Sequence, residues 1–94
     1  MGSMSKFELG QIVATPGALD AFKASGEEPF PYLQRHDSGD WGEELDPSDR
    51  AENEFALRNR LRLLSEYRVK NGTVIWIITE ADRSSTCVLT PSEY

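Results

Sequence analysis

The sequence predicts an α+β fold, in which a short N-terminal strand and two to three helices pack on a C-terminal three-stranded antiparallel meander. Three observations predict it. Val74-Ile75-Trp76-Ile77-Ile78 is the one apolar run long enough for a strand buried on both faces. The residues before it, Leu63 to Lys70, alternate with a period of two, and turn formers flank the run at Asn71-Gly72 and Ala81-Asp82-Arg83. Upstream, Thr15-Pro16 and Asp46-Pro47 each set a capping side chain before a proline suited to the first helical position.

In chain order, Phe7 to Ala14 is short and mostly apolar, as an edge strand is, with Gly10 weakening it or marking a bulge. The spacing of Ala18, Leu19 and Phe22 predicts a helix from about Pro16 to Ser25, stopped at Ser25-Gly26. Pro29 and Pro31 open a second, shorter helix, with Phe30, Leu33 and Tyr32 towards the core and Gln34 and Arg35 in water. Ser38-Gly39-Asp40-Trp41-Gly42 is too glycine-rich for a regular element and reads as an ordered turn anchored by Trp41. Asp46 caps the third helix, Asp49 and Glu52 suit the positive end of its dipole, and Ala51, Phe55 and Arg58 share one face. That helix is expected to end near Asn59 or Arg60. Asn71-Gly72 then predicts a type I′ hairpin turn, and Ser85 to Thr90 a last strand ended by Pro91.

Ninety-four residues are enough for one domain, expected from Met4 onwards, with Met1-Gly2-Ser3 reading as a vector remnant. No apolar run approaches the roughly 20 residues of a membrane span, and the one cysteine, Cys87, rules out an internal disulfide framework and suits a reducing cytoplasm. The net charge of −6 is unevenly spread. Glu27 to Glu54 holds ten carboxylates against Arg35 and Arg50, whereas Arg58 to Lys70 holds five basic groups against Glu66. Such a field disfavours direct contact with nucleic acid and favours a basic partner.

Candidate chemistry falls in two clusters. His36, the only histidine, lies at the end of the second predicted helix with Asp40 nearby. A helix C-terminus and neighbouring carboxylates both favour the imidazolium, which predicts a base stronger than free imidazole and fit for general acid–base work. The competing reading is structural, with His36 bonding the last helical carbonyls and Trp41 as a packing plug. In the second cluster, Arg83, Ser85 and Thr86 have the donors to hold a phosphate, or else form a turn in which Asp82 bonds backbone amides and Arg83 pairs with Glu80 or Asp82. One His and one Cys make no zinc set, and no EF-hand register, phosphate-cradling glycine loop or dinucleotide fingerprint is present, so neither metal nor cofactor is expected. Cys87 reads as a small buried hydrophobe.

Several stretches together resemble a family. Leu9-Gly10-Gln11-Ile12-Val13-Ala14-Thr15-Pro16-Gly17-Ala18-Leu19, His36 with Ser38-Gly39-Asp40-Trp41-Gly42, Arg62-Leu63-Leu64-Ser65 with Tyr67, and Trp76-Ile77-Ile78-Thr79-Glu80-Ala81-Asp82-Arg83-Ser84-Ser85-Thr86 are similar to small "plasmid-related" proteins carried on bacterial plasmids, phages and integrated elements. The resemblance covers Phe7 to Tyr94 and implies a mobile-element setting without implying an activity. Some of those proteins carry the name of a type I restriction subunit, for which this short chain has no methyl-donor loop or methyltransferase motif.

Two functions follow as expectations. The favoured one is a non-catalytic binding or accessory protein acting on a basic partner, such as a nucleic-acid-handling or defence protein, with Asp40, Trp41, Glu43, Glu44 and Arg83 as the contact set. The alternative is a metal-independent ribonuclease of the small-toxin type, resembling barnase or RelE-like architectures, with His36, Asp40, Arg83, Ser85 and Thr86 as its catalytic set.

Overall fold

The longest apolar run becomes the third of four strands. The computed structural model describes residues 5–94, so the expected vector remnant lies outside the described residues. In order the elements are β1 (Gln11–Ala14), α1 (Pro16–Ser25), α2 (Phe30–Asp37), α3 (Pro47–Asn59), β2 (Leu63–Arg68), β3 (Val74–Thr79), β4 (Ser85–Leu89) and a 3-10 turn at Pro91–Glu93.

The C-terminal meander is as expected, with β2 antiparallel to β3 and β3 to β4. The N-terminal strand does more than pack on it. It joins the sheet parallel to β4, Ile12 opposite Thr86 and Ala14 opposite Val88, which gives a mixed four-stranded sheet in the order β1-β4-β3-β2. Strand alternation sends Leu63, Ser65, Tyr67, Ile75, Ile77, Thr79, Thr86 and Val88 to one face, and all eight are buried there. Ala18, Ala21 and Phe22 of α1 and Leu33 of α2 complete that core, and a second cluster of Trp41, Leu45, Ala56 and Leu63 adjoins it. The opposite face is only partly covered. Val74 and Trp76 remain half-buried, so β3 is not enclosed on both sides, and the Trp76 and Tyr94 rings meet in a T-shaped contact.

Helix boundaries follow the caps. Thr15 accepts from the amide of Ala18 and Asp46 from that of Ser48, while Gly26 and Arg60 close α1 and α3 in left-handed conformations. The buried faces differ from the expected ones. Leu19, Phe30 and Phe55 are half or more exposed. In α2 the sheet-facing stripe is Leu33 and His36, one turn apart, which leaves Phe30 at the first position outside. In α3 the buried residues are Asn53 and Ala56, not Ala51 and Phe55, because the helix turns its polar Asn53 towards the backbone of β2. The hairpin also differs: only Gly72 has positive φ, and the amides of Gly72 and Val69 bond to Val69 O and Thr73 O respectively. That is a turn with a left-handed glycine behind it, the three-residue loop rather than type I′.

The sheet has two edges, and they are treated differently. At β2 the Asn53 side chain bonds both backbone groups of Leu64, accepting from its amide at 3.0 Å and donating to its carbonyl at 2.5 Å, and the Glu66 amide donates to Trp41 O at 3.0 Å. This edge is closed. Gly42 permits the approach, since a Cβ there would stand 1.8 Å from Glu66 O and its φ is +99°. Along β1 and just after it, the amides of Gln11 and Thr15 bond to Ser84 O, which immediately precedes β4, and to Val88 O within it. By alternation Ile12 and Ala14 turn their N–H and C=O groups the other way, and among the described residues no strand lies beyond them.

Candidate functional site

His36 sits one turn after Leu33 on the buried stripe of α2, and this position carries its ring over β2 and β3. It is fully buried. Its Nδ1 lies 2.5 Å from Ser65 Oγ and its Nε2 2.9 Å from Thr79 Oγ1. Thr79 Oγ1 is in turn 2.7 Å from Thr86 Oγ1, and Thr86 donates to Leu9 O at 2.7 Å. The last acceptor, a carbonyl, sets the direction of the whole chain. Thr86 gives its proton to Leu9 O, so Thr79 gives its own to Thr86 and must accept from His36. His36 thereby carries hydrogen on Nε2, and in the neutral imidazole Nδ1 accepts from the Ser65 hydroxyl.

This reverses the expected chemistry of His36. Burial, with repulsion from the Arg83 guanidinium, drives its pKa down from 6.5 to about 3. The helix-end and carboxylate effects invoked from sequence lose to desolvation, because the carboxylate of Asp40 points outward to Arg35 at 2.7 Å. Nor does the ring bond the last carbonyls of α2; those accept from the amides of Ser38, Gly39 and Asp40. Phe7 and Trp41 close around the imidazole edge-on, with centroids 5.1 and 5.8 Å away.

Arg83 is likewise interior, 6% exposed. Its Nη1 donates to Leu61 O at 2.6 Å, Glu80 O at 3.1 Å and Ala81 O at 3.2 Å, and its Nη2 to Ala56 O at 3.3 Å. It therefore ties the C-terminal end of α3 to the β3–β4 turn through carbonyls. The expected ion pair with Glu80 or Asp82 is not made; Glu80 faces Arg62 at 3.6 Å, and Asp82 accepts from the Ser84 amide as expected. Thr86 and Ser85 project from opposite faces of β4, so Arg83, Ser85 and Thr86 do not form one phosphate cradle.

Of the expected contact set, Trp41 is buried and donates to Glu54 at 2.8 Å, leaving Asp40, Glu43 and Glu44 on the surface. Asp40 and Glu43 share Arg35, and Glu44 meets Arg68 at 3.2 Å. The bond from Arg35 and the amide of Gly42 hold the carboxyl of Asp40 below its ordinary range, against a smaller opposing effect of burial. Cys87 is half-buried on the outer face, and burial raises its thiol pKa, the reverse of activation.

His36, Thr79, Thr86 and Ser65 thus do converge, but inside the core. A concavity open to solvent lies elsewhere, a groove of about 610 Å³ between β1 and α2. Leu9, Ile12, Phe30, Pro31 and Leu33 form its apolar wall, and Gln34, Arg35, Asp37 and Asp40 its polar one. Sequence reasoning passed over this groove and over Ser65 and Asn53. Ser65 and Thr79 did carry a signal, as polar residues at core parity between apolar neighbours. Exposed Phe30 carried none, since its face is set by tertiary packing. No three His, Cys, Asp or Glu among the described residues form a metal-holding group, and no helix among them is long and apolar enough to cross a membrane. Comparison with protein-family models, curated proteins and solved structures gives no match for the chain.

Proposed function

We propose that this chain is a non-catalytic binding or accessory protein that acts by contact with a basic protein partner. The observation that carries the reading is the position of its only histidine. With both ring nitrogens bonded and no exposed surface, His36 offers no proton to a substrate. The ribonuclease alternative loses its acid–base group in this way, and its arginine is taken up by four backbone carbonyls. What reaches solvent instead is carboxylate-rich surface around Asp37, Asp40, Glu43 and Glu44. The resemblance to plasmid- and phage-borne proteins supports a bacterial mobile-element setting, in which nucleic-acid-handling and defence proteins are natural basic partners, and the lone unactivated thiol fits a cytoplasmic location.

The test is capture from bacterial lysate on immobilised protein at low and moderate salt, beside incubation of purified protein with RNA in chelator. The reading expects a basic protein to be retained at low salt and released as salt screens the contact. RNA cleavage that tracks with the protein through purification would contradict it.

A further inference from the structure

We infer that the outer edge of β1, together with the groove beside α2, binds an extended, basic segment of a partner protein as an added strand. This rests on the binding-module reading and gives that reading a place. Four observations meet there. The outer backbone groups of Ile12 and Ala14 face away from β4, whereas the opposite edge of the sheet is closed by Asn53 and Trp41. The strand Gln11-Ile12-Val13-Ala14 carries no charge, proline or bulge of the kind that normally guards an open edge. Ile12 and Phe30 are 48% and 64% exposed and face the same groove, so a strand laid along β1 would set alternate side chains against them. Finally, the polar wall is anionic: Asp37 lines it, and its one arginine, Arg35, is already held by Asp40 and Glu43, while Lys6 lies over Gly39. That charge selects the occupant. A second copy of this chain would bring the same carboxylates to the contact, whereas a segment with lysine or arginine beside its apolar residues would find complementary ones.

The experiment uses the full chain labelled with 15N and short amidated peptides that alternate valine, leucine or phenylalanine with threonine and end in lysines. A matched set ends in glutamates. The inference expects the lysine peptides to shift the amides of Ile12 and Ala14 and those of α2 near Phe30. It expects Phe30→Asp, with its circular dichroism unchanged, to weaken binding about tenfold, the loss of one apolar anchor. Methylating alternate peptide nitrogens should abolish binding. Shifts confined to the acidic residues of α3 would overturn strand addition while leaving the basic-partner reading standing. Equal binding of the glutamate peptides, or no shift at β1 with any peptide, would overturn the inference, as would concentration-dependent shifts of Ile12 and Ala14 in the free protein, which would give the edge to a second copy.

Discussion

Nε2 of His36 lies 2.9 Å from Oγ1 of Thr79, between a helix and a strand 43 residues apart in sequence, and neither group reaches solvent. Through this pair, a polar chain from Ser65 to Leu9 O joins α2, β2, β3 and β4 to the segment leading into β1. The consequences concern stability first.

Stability should fall as pH drops below neutrality. The folded pKa of His36 is lowered to about 3 from 6.5, so between these values the unfolded chain holds the extra proton. The neutral imidazole's contribution is therefore complete above 6.5 and is lost as pH falls towards 3, at up to about 1.4 kcal/mol per pH unit. Carboxyls held low, such as Asp40 and Glu93 (about 2), stay ionised from pH 8 to 5 and add their own losses only below their ordinary range. Urea unfolding at pH 7.5 and 5.0 should differ by about 2 kcal/mol.

Thr79→Val keeps the shape of Thr79 but leaves the His36 N–H and Thr86 Oγ1 without their partner. A loss of about 1–3 kcal/mol is expected, against a smaller one for Thr79→Ser, which retains the hydroxyl. Denaturant midpoints of the two variants decide this; equal losses would mean that the hydroxyl is unimportant.

Much of this core was legible in the sequence. Period-two alternation marked the faces of β2, and the apolar run marked β3. Prolines behind Thr15 and Asp46 marked the starts of α1 and α3. What was not legible arises from tertiary contact. Desolvation of His36 depends on strands far along the chain, and it overrides the local charges visible beside it. The exposed side of a short helix such as α2 follows from where the sheet lies, which is why Phe30 was placed inside. The parallel pairing of β1 with β4 leaves no local mark at all.

Arg83 acts as a clamp on the end of α3. Arg83→Met should cost about 2–4 kcal/mol, since it strips donors from four buried or half-buried carbonyls. Arg83→Lys should recover only part of this, as an ammonium does not span the spread of Ala56 O and Leu61 O. Thermal melts of both, with hydrogen exchange at Arg60 and Leu61, would show whether α3 frays first.

Asn53→Leu should open the β2 edge. The Leu64 N–H and C=O lose their partner, for about 1–3 kcal/mol, and the bared edge should promote self-association. Sedimentation of the variant across a concentration series reads the second effect directly.

The central claim is that three polar residues singled out for a catalytic set, His36, Thr86 and Arg83, are bonded within the interior. An NMR titration of the single imidazole tests it most directly. The claim predicts one histidine signal that does not titrate between pH 8 and 5, with 15N shifts showing hydrogen on Nε2 and a bare Nδ1. A titration midpoint near 6.5, the value of a free imidazole, would put His36 in contact with water and contradict the account.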